Sequence, residues 1–411
     1  MKQEIVFCAP IFNFPAIGGP ELRVLNTLKA LASNHEVNLV TWGKSNDIHK
    51  VETVEMLNNL NIKSVKKIEL PDDGISNKFF VRSAKTTVII KMLKRLILNE
   101  KNRNDKLIAD EIIHLCDGND NIRIWFSFAN ISVSILKKIR NRKPNVYLVS
   151  DTDSVWSRFV LRAVPYLPNR LKFQALVSGF NKIYEEIQLC KISTFVAAVS
   201  EIDQNYYKKI CNEETKVKLA YNVVELDNYH YQHTAESKPQ EVNILLAGSF
   251  GHKYSPMDFG AKWFLEEVWP EIRKSNNTSK IFLVGRGSKI LWKSNPELGV
   301  FVEGEVKSIQ DYLKFVDLSI VPLWFESGTR FKILESVALK VPVVSTTLGV
   351  EGLQFKHGKE ILIANTPEEF QDCILKLSNP QFASTIVNSA LVKLKNNYTL
   401  NQLITQVDEL I

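Results

Sequence analysis

The residues best equipped for chemistry crowd one short stretch, Gly328-Thr329-Arg330-Phe331-Lys332-Ile333-Leu334-Glu335. Ile333, Leu334, Val337 and Ala338 recur at helical spacing, so the stretch reads as a helix with one packed face, entered through Gly328 and capped by Thr329. Ahead of it, residues 317–322 form an apolar run closed by proline. Behind it, residues 341–344 are a β-branched run of the kind buried in parallel sheets. Arg330 and Lys332 then fall in the first helical turn, where unpaired amides and the helix dipole already favour an anion. Two cations in that place suit a diphosphate better than a single carboxylate. Glu335 follows one turn on, and two readings stand: a ligand group on the same face, or a surface partner for Lys332 at i, i+3 worth about 0.2–0.5 kcal/mol.

Such a helix needs a sheet beneath it, and the chain is long enough to supply two. Its 411 residues are 45% hydrophobic and 24% charged, the balance of a soluble globular protein that buries large cores. A net charge of +7 is mild at this size; it suits an anionic ligand and does not point to nucleic acid. The five cysteines, at 8, 116, 190, 211 and 373, are odd in number and form no Cys-x-x-Cys pair. They predict neither a disulfide framework nor a zinc site, and hence a reducing compartment. The first ten residues hold too short an apolar run for a signal peptide, and no segment reaches the roughly 18 apolar residues that span a bilayer. The expected location is cytoplasmic, with at most a peripheral membrane contact.

Taken in order, residues 5–9 read as a buried strand, residues 10–20 as a loop holding Gly18-Gly19, and Leu22, Leu25, Leu28 and Leu31 as the packed stripe of a helix starting near Glu21. A strand over 37–41 completes the first unit of a doubly wound sheet, which sets the loop at 12–19 beyond a strand end, where ligands bind. Gly18-Gly19 is either a plain turn or a point of close ligand approach; Gly-x-Gly-x-x-Gly is absent. Further strands are predicted over 122–127, 146–150, 194–200 and 217–221. The second of these delivers Asp151 and Asp153 to a strand end, where Asp153 could instead cap a helix starting at Trp156. The polar residues 226–241 read as a linker between a domain over 1–225 and a second over 242–385, with an amphipathic region over 386–411. The second domain repeats the alternation: strands over 242–247, 281–284, 299–303 and 318–321, and a helix over 257–272. Gly248-Ser249 and Gly285-Arg286-Gly287 end two of those strands. Two basic amphipathic stretches, 78–106 and 156–180 with Arg158, Arg162, Arg170 and Lys172, are either solvated helix faces or a contact for an anionic membrane.

The run Gly328-Thr329-Arg330-x-Lys332-x-x-Glu335, followed by Val341-Pro-Val-Val-Ser-Thr and Gly349-Val-Glu-Gly, resembles the donor-binding segment of the group 1 glycosyltransferases, family 4-like. Those are retaining, sugar-nucleotide-dependent enzymes of the GT-B architecture. The resemblance implies an α/β fold of two Rossmann-like domains facing across a cleft, the last helix crossing back to the first domain. It implies that Arg330 and Lys332 contact the donor diphosphate and Glu335 the ribose hydroxyls. Gly18 and Gly19 would approach the donor phosphate, Gly248, Ser249 and Arg286 would lie near the nucleotide, and Gly328, Thr329, Gly349, Val350 and Glu351 would complete the cradle. Asp151 or Asp153 would position an acceptor hydroxyl. Many members carry a second glutamate eight residues before the first, where this chain has Ser327, with Glu326 one residue off; no histidine stands where many relatives have one. The implied activity is hexosyl transfer with retention from a UDP-, GDP- or ADP-linked sugar to a glycan or lipid-linked acceptor, in bacterial surface polysaccharide or lipopolysaccharide synthesis. Neither cofactor nor metal is expected, and no nucleic acid. Within the same architecture a sugar-nucleotide 2-epimerase competes, as does a sugar phosphorylase, which would need a Schiff-base lysine and a much longer chain; from another class, a non-catalytic sugar-nucleotide sensor or partner subunit does.

Overall fold

A computed structural model describes residues 2–42, 48–70, 100–119, 121–229, 241–251 and 253–411. Its central strands are short apolar runs buried on both faces, as parallel sheets covered by helices require, while the edge strands are more exposed. The first sheet holds β1 (Glu4–Ala9), β2 (Glu36–Trp42), β3 (Ser64–Ile68), β4 (Arg123–Phe126), β5 (Tyr147–Asp151), β6 (Phe195–Ala198) and β7 (Val217–Leu219), in the order β3-β2-β1-β4-β5-β6-β7. The second holds β8 (Asn243–Ala247), β9 (Lys280–Val284), β10 (Val300–Gly304), β11 (Leu318–Val321), β12 (Val343–Ser345) and β13 (Leu362–Ile363), in the order β10-β9-β8-β11-β12-β13. Every pairing is parallel; Ile5, for example, lies between Val37 and Arg123. Strand order reverses beside β1 in one sheet and beside β8 in the other, and ligands enter doubly wound sheets at such reversals. Both crevices open at carboxyl ends of strands.

The helices that matter for the site are α1 (Gly19–Asn34), α2 (Trp156–Ala163), α3 (Asn169–Ile192), α4 (Phe331–Ala338), α5 (Pro380–Asn397) and α6 (Leu400–Asp408). The expected crossing of the tail is present, and it occurs at Tyr398. That side chain is fully buried, 5.5 Å from the Tyr221 ring of the first domain and 5.9 Å from Phe355 of the second. Beyond it α6 lies on α1: Asp408 accepts from Asn34 at 2.6 Å and meets His35 at 3.0 Å, while Gln406 accepts from the Tyr221 amide at 2.9 Å. The tail therefore straps the two domains together.

Several expectations change. The helix read over 257–272 is interrupted: Pro256–Trp263 passes through a wide five-residue turn, Phe264–Val268, into Trp269–Ser275. Pro270 has no amide to donate, so the turn before it opens. The expectation of no disulfide is corrected as well, since Cys190, near the end of α3, is bonded to Cys211 at the end of the Glu201–Cys211 helix. The two helices flank β6 and bring those ends together, which a separation of 21 residues does not reveal. Of the two basic stretches, 78–106 lies outside the described residues up to residue 99, and its last residues open the helix Glu100–Leu115. The other divides: Arg158 and Arg162 turn inward, while Phe173, Leu176, Phe180 and Tyr184 lie exposed along α3. Among the described residues no helix is long and apolar enough to cross a membrane.

Candidate active site

The second reversal point lies between β8 and β11, and α4 is packed there through Ile333, Leu334, Val337 and Ala338. The helix begins at Phe331, one residue later than its sequence suggests, with Arg330 in the cap position. Thr329 does not cap it; the hydroxyl instead accepts from Asn222 Nδ2 at 2.7 Å, a tie to the end of the first domain. Arg330 is 5% exposed and donates to the carbonyls of its own loop, Ser327 at 3.0 Å and Gly328, and to that of Leu348 at 3.3 Å. Its guanidinium is engaged in holding two loops together. Lys332, in the first turn, reaches back over the end of β8, where Nζ lies 2.9 Å from Met257 Sδ. Glycine suits position 248, whose φ of +154° is one that side-chain-bearing residues rarely adopt, and a Cβ there would displace the Lys332 Nζ from this place. Burial pulls the Lys332 pKa down to about 8 against the opposing charge of Glu326 and with the help of Arg330. Glu335 is pushed up to about 7 by burial, although Tyr229, 3.5 Å away, and Lys332 both favour its charged form. Among the ion pairs of the described residues neither Lys332 nor Glu335 takes part, so the surface pairing of the two is not formed.

Across the cleft the first domain presents its glycine pair. Gly18 has φ +89°, and Gly19 begins α1 so close to Phe331 that a Cβ would lie 3.1 Å from the ring. Gly19 thus abuts the N-terminus of α4. Glu21 holds the loop in shape by accepting from Asn13 and from the Ile17 amide, both at 2.6 Å. On the second domain the strand-end loops are joined through backbone, with Phe250 and Gly251 amides donating to the Arg286 carbonyl at 2.9 and 3.3 Å, while the Ser249 and Arg286 side chains are exposed. The turn expected to complete the cradle holds Gly349, Val350 and Glu351. Their amides donate to Thr346 Oγ1 at 2.9 Å, the Thr346 carbonyl at 3.2 Å and the Leu348 carbonyl at 3.2 Å, so the turn consumes them itself. The Glu351 carboxylate faces the first domain, where Arg162 binds it.

The two aspartates part company. Asp151 is 1% exposed, bonded to Arg23 Nη2 at 2.6 Å and to Trp125 Nε1 at 3.2 Å, and the same guanidinium donates to the Ala220 and Tyr221 carbonyls at 2.7 and 2.8 Å. Asp151 is therefore an anchor behind the cleft wall. Asp153 is half-buried and caps nothing; it accepts from Asn130 Nδ2 at 2.8 Å and Trp156 Nε1 at 3.1 Å. Burial raises its pKa to about 6 against those bonds. Its backbone carbonyl lies under Gly328, where a Cβ would come within 2.7 Å, so this is the aspartate at the domain boundary. Among the described residues no three His, Cys, Asp or Glu side chains gather as they would around a metal ion.

Residues 241–379, which include all of this second-domain site, match the family described as Glycosyl transferases group 1. The whole chain resembles Anabaena HepE, solved in complex with UDP and glucose, at 14% identity and a TM-score of 0.63 over 99% of this chain and 98% of that one. It also resembles the sucrose-phosphate synthase of Thermosynechococcus elongatus, at 14% identity and a TM-score of 0.68 over 100% and 98%. The fold is GT-B. A 44.6 kDa protein of the cps region of Klebsiella pneumoniae is 20% identical over 303 residues, 67% of this chain and 76% of its own length. Within the GT-B frame, sequence reasoning missed Arg23, Asn130, Tyr229 and Met257, all of which shape the site from elements distant in the chain. Arg23 carried a faint signal, a guanidinium set among the leucines of α1 where a stripe of packed residues expects none.

Proposed function

We propose that this protein transfers a hexose from a nucleotide-sugar donor to a glycan or lipid-linked acceptor with retention of anomeric configuration, in the synthesis of a bacterial surface polysaccharide or lipopolysaccharide on the cytoplasmic side. One observation carries this reading: Lys332 and Glu335 are drawn into the cleft at the start of α4 without ion partners, beside a strand-order reversal and opposite the Gly18-Gly19 loop. A donor diphosphate supplies the charge that Lys332 and the first-turn amides lack, and ribose hydroxyls supply donors for the Glu335 carboxylate. As the sugar departs, negative charge grows on the leaving phosphate, and each well-aimed donor to it is worth roughly 2.7–4 kcal/mol. Arg330 serves indirectly, by fixing the loop from which α4 starts. Asp153 orients the acceptor hydroxyl, whose proton passes to the leaving phosphate on the same face of the sugar. The nucleotide sugar is a substrate, and the lysine and helix amides do the work that a metal does elsewhere. The exposed aromatic stripe of α3 suits an acceptor held at a lipid surface.

Thermal-shift screening against UDP, GDP and ADP, with and without attached sugars, tests the reading, because a ligand of the native state raises the melting temperature. HepE, solved with UDP, makes UDP the first choice. One nucleotide should give a clear shift that Glu335→Ala weakens by about tenfold in affinity, or about 1.4 kcal/mol. Release of free nucleoside diphosphate from the sugar-linked form separates the enzyme from a sensor or partner subunit. Binding without release supports the sensor, and no shift with any nucleotide overturns both.

A further inference from the structure

The cleft is bridged by a cluster of charges that the transfer reaction does not use. Arg162 of α2 donates through Nη1 and Nη2 to the two oxygens of Glu351 at 2.6 and 2.8 Å, and through Nη1 to the Glu326 carbonyl at 2.9 Å. Arg158, one turn earlier, lies 3.4 Å from both Glu351 oxygens and 3.5 Å from Asp203 Oδ1. The arginines belong to the first domain, Glu326 and Glu351 to the second. A two-oxygen, two-nitrogen bond of this kind fixes orientation as well as distance. Burial alone would raise the Glu351 pKa, yet the bonds and charge of Arg162, supported by Arg158 and Arg330, hold it below the usual carboxylate range.

The placement of the acceptors gives this contact a purpose. Glu326 opens the loop that leads to Arg330 and α4; Glu351 closes the turn after β12. Arg330 stitches the same two loops from inside the second domain, through the Ser327 and Leu348 carbonyls. Arg162 stitches them from outside. Two neighbouring contacts follow the same line, the Val155 amide to Ser327 Oγ at 3.1 Å and Asn222 Nδ2 to Thr329 Oγ1 at 2.7 Å. Interfaces between domains of one chain are mobile unless something specific ties them.

We propose that Arg162, backed by Arg158, is a positioning clamp that closes the two domains through Glu351 and sets the loop carrying Arg330 and the start of α4. Arg162 touches no reacting atom and acts through that loop. Its effect on donor affinity rests on reading the loop as a donor site; its effect on domain closure does not. Loss of the clamp lowers the fraction of molecules already closed, which weakens apparent donor affinity while donor binding at saturation restores the closed form.

The test compares Arg162→Met, Glu351→Gln, the double variant and the exchanged pair Arg162→Glu with Glu351→Arg, by small-angle scattering of the free protein and by donor KM and kcat. Each single variant should enlarge the radius of gyration and raise KM about tenfold while kcat stays within about threefold. The double variant should be no worse than either single one, and the exchanged pair should recover part of the loss. Where Arg162→Met proves unfolded by circular dichroism, Arg162→Lys keeps the charge, loses the fork, and should fall between wild type and Glu351→Gln. A Glu351→Gln defect far larger than that of Arg162→Met, and additive with it, would mean that Glu351 meets the donor itself and would overturn the clamp. Unchanged scattering in both single variants overturns it too. If the wild-type protein turns over no sugar nucleotide, the proposed activity fails, and scattering alone decides the clamp.

Discussion

Asp151 and Lys332 are both charged side chains drawn in at the carboxyl edge of a parallel sheet, one in each domain, and their surroundings differ at every point. Asp151 has an arginine at 2.6 Å, and the paired side chains are 2% and 3% exposed. Arg23 finds two backbone carbonyls for Nη1, and Trp125 donates to the second carboxylate oxygen. Lys332 has a thioether sulfur at 2.9 Å and, among the described residues, no ion partner; Glu335 has one phenol at 3.5 Å. Burying a charge is costly unless it is paired and hydrogen-bonded. Folding alone gains nothing from leaving two such groups unmatched, whereas a ligand carrying phosphate and hydroxyls supplies what both lack. The paired site holds the first domain together, and the unpaired one is where the proposed donor would bind.

The sharpest way to break that contrast is Asp151→Asn, which leaves Arg23 buried without its counter-charge. Removing one partner of a buried pair costs about 3–5 kcal/mol, so urea unfolding followed by tryptophan fluorescence should show a markedly lowered first-domain transition. A loss under about 1 kcal/mol would place Asp151 among exposed pairs and erase the distinction. Next in size is Lys332→Met. It should lower donor turnover by about 100-fold, or about 2.7 kcal/mol of transition-state stabilisation, while the melting temperature holds or rises. If turnover and melting temperature fall together, Lys332 is a structural residue like Asp151.

What the sequence showed of these two sites differs for a physical reason. Lys332 and Glu335 lie within one turn of one helix, so local spacing was enough to group them, and the parallel strands declared themselves as short apolar runs. Arg23 and Asp151 are 128 residues apart, Arg162 and Glu351 are 189 apart, and no periodicity links such partners. Arg162 also sits in a run whose mixture of basic and aromatic residues suits a membrane-facing helix equally well; its direction is decided by how α2 packs on α3. The Gly349-Val-Glu-Gly motif placed Glu351 at the rim of the site without saying that its carboxylate is turned to the other domain. β13 has two residues, too few for any pattern, and β3 is an edge strand with two lysines among its five residues.

The smallest expected effect is the most specific to the unpaired pair. Glu335, raised to about 7, is neutral in the free protein below that pH, and a neutral carboxyl accepts ribose hydroxyls poorly. Nucleotide binding therefore releases a proton on the acid side, and affinity rises with pH through about 7. Lys332, lowered to about 8, loses its charge above that pH, and a diphosphate restores it. Binding takes up a proton there, and affinity falls as pH rises through about 8. Stability follows the opposite linkage: the raised Glu335 favours the folded state in acid and loses that contribution as pH climbs to about 7, while the lowered Lys332 makes stability rise with pH above about 8. Calorimetry in buffers of different ionisation enthalpy reads the proton count directly. Release below pH 7 should vanish in Glu335→Gln, and uptake above pH 8 should vanish in Lys332→Arg, whose guanidinium does not titrate in this range. A bell that survives both substitutions belongs to other groups, and the two charges in the cleft would then be as inert toward the ligand as Asp151.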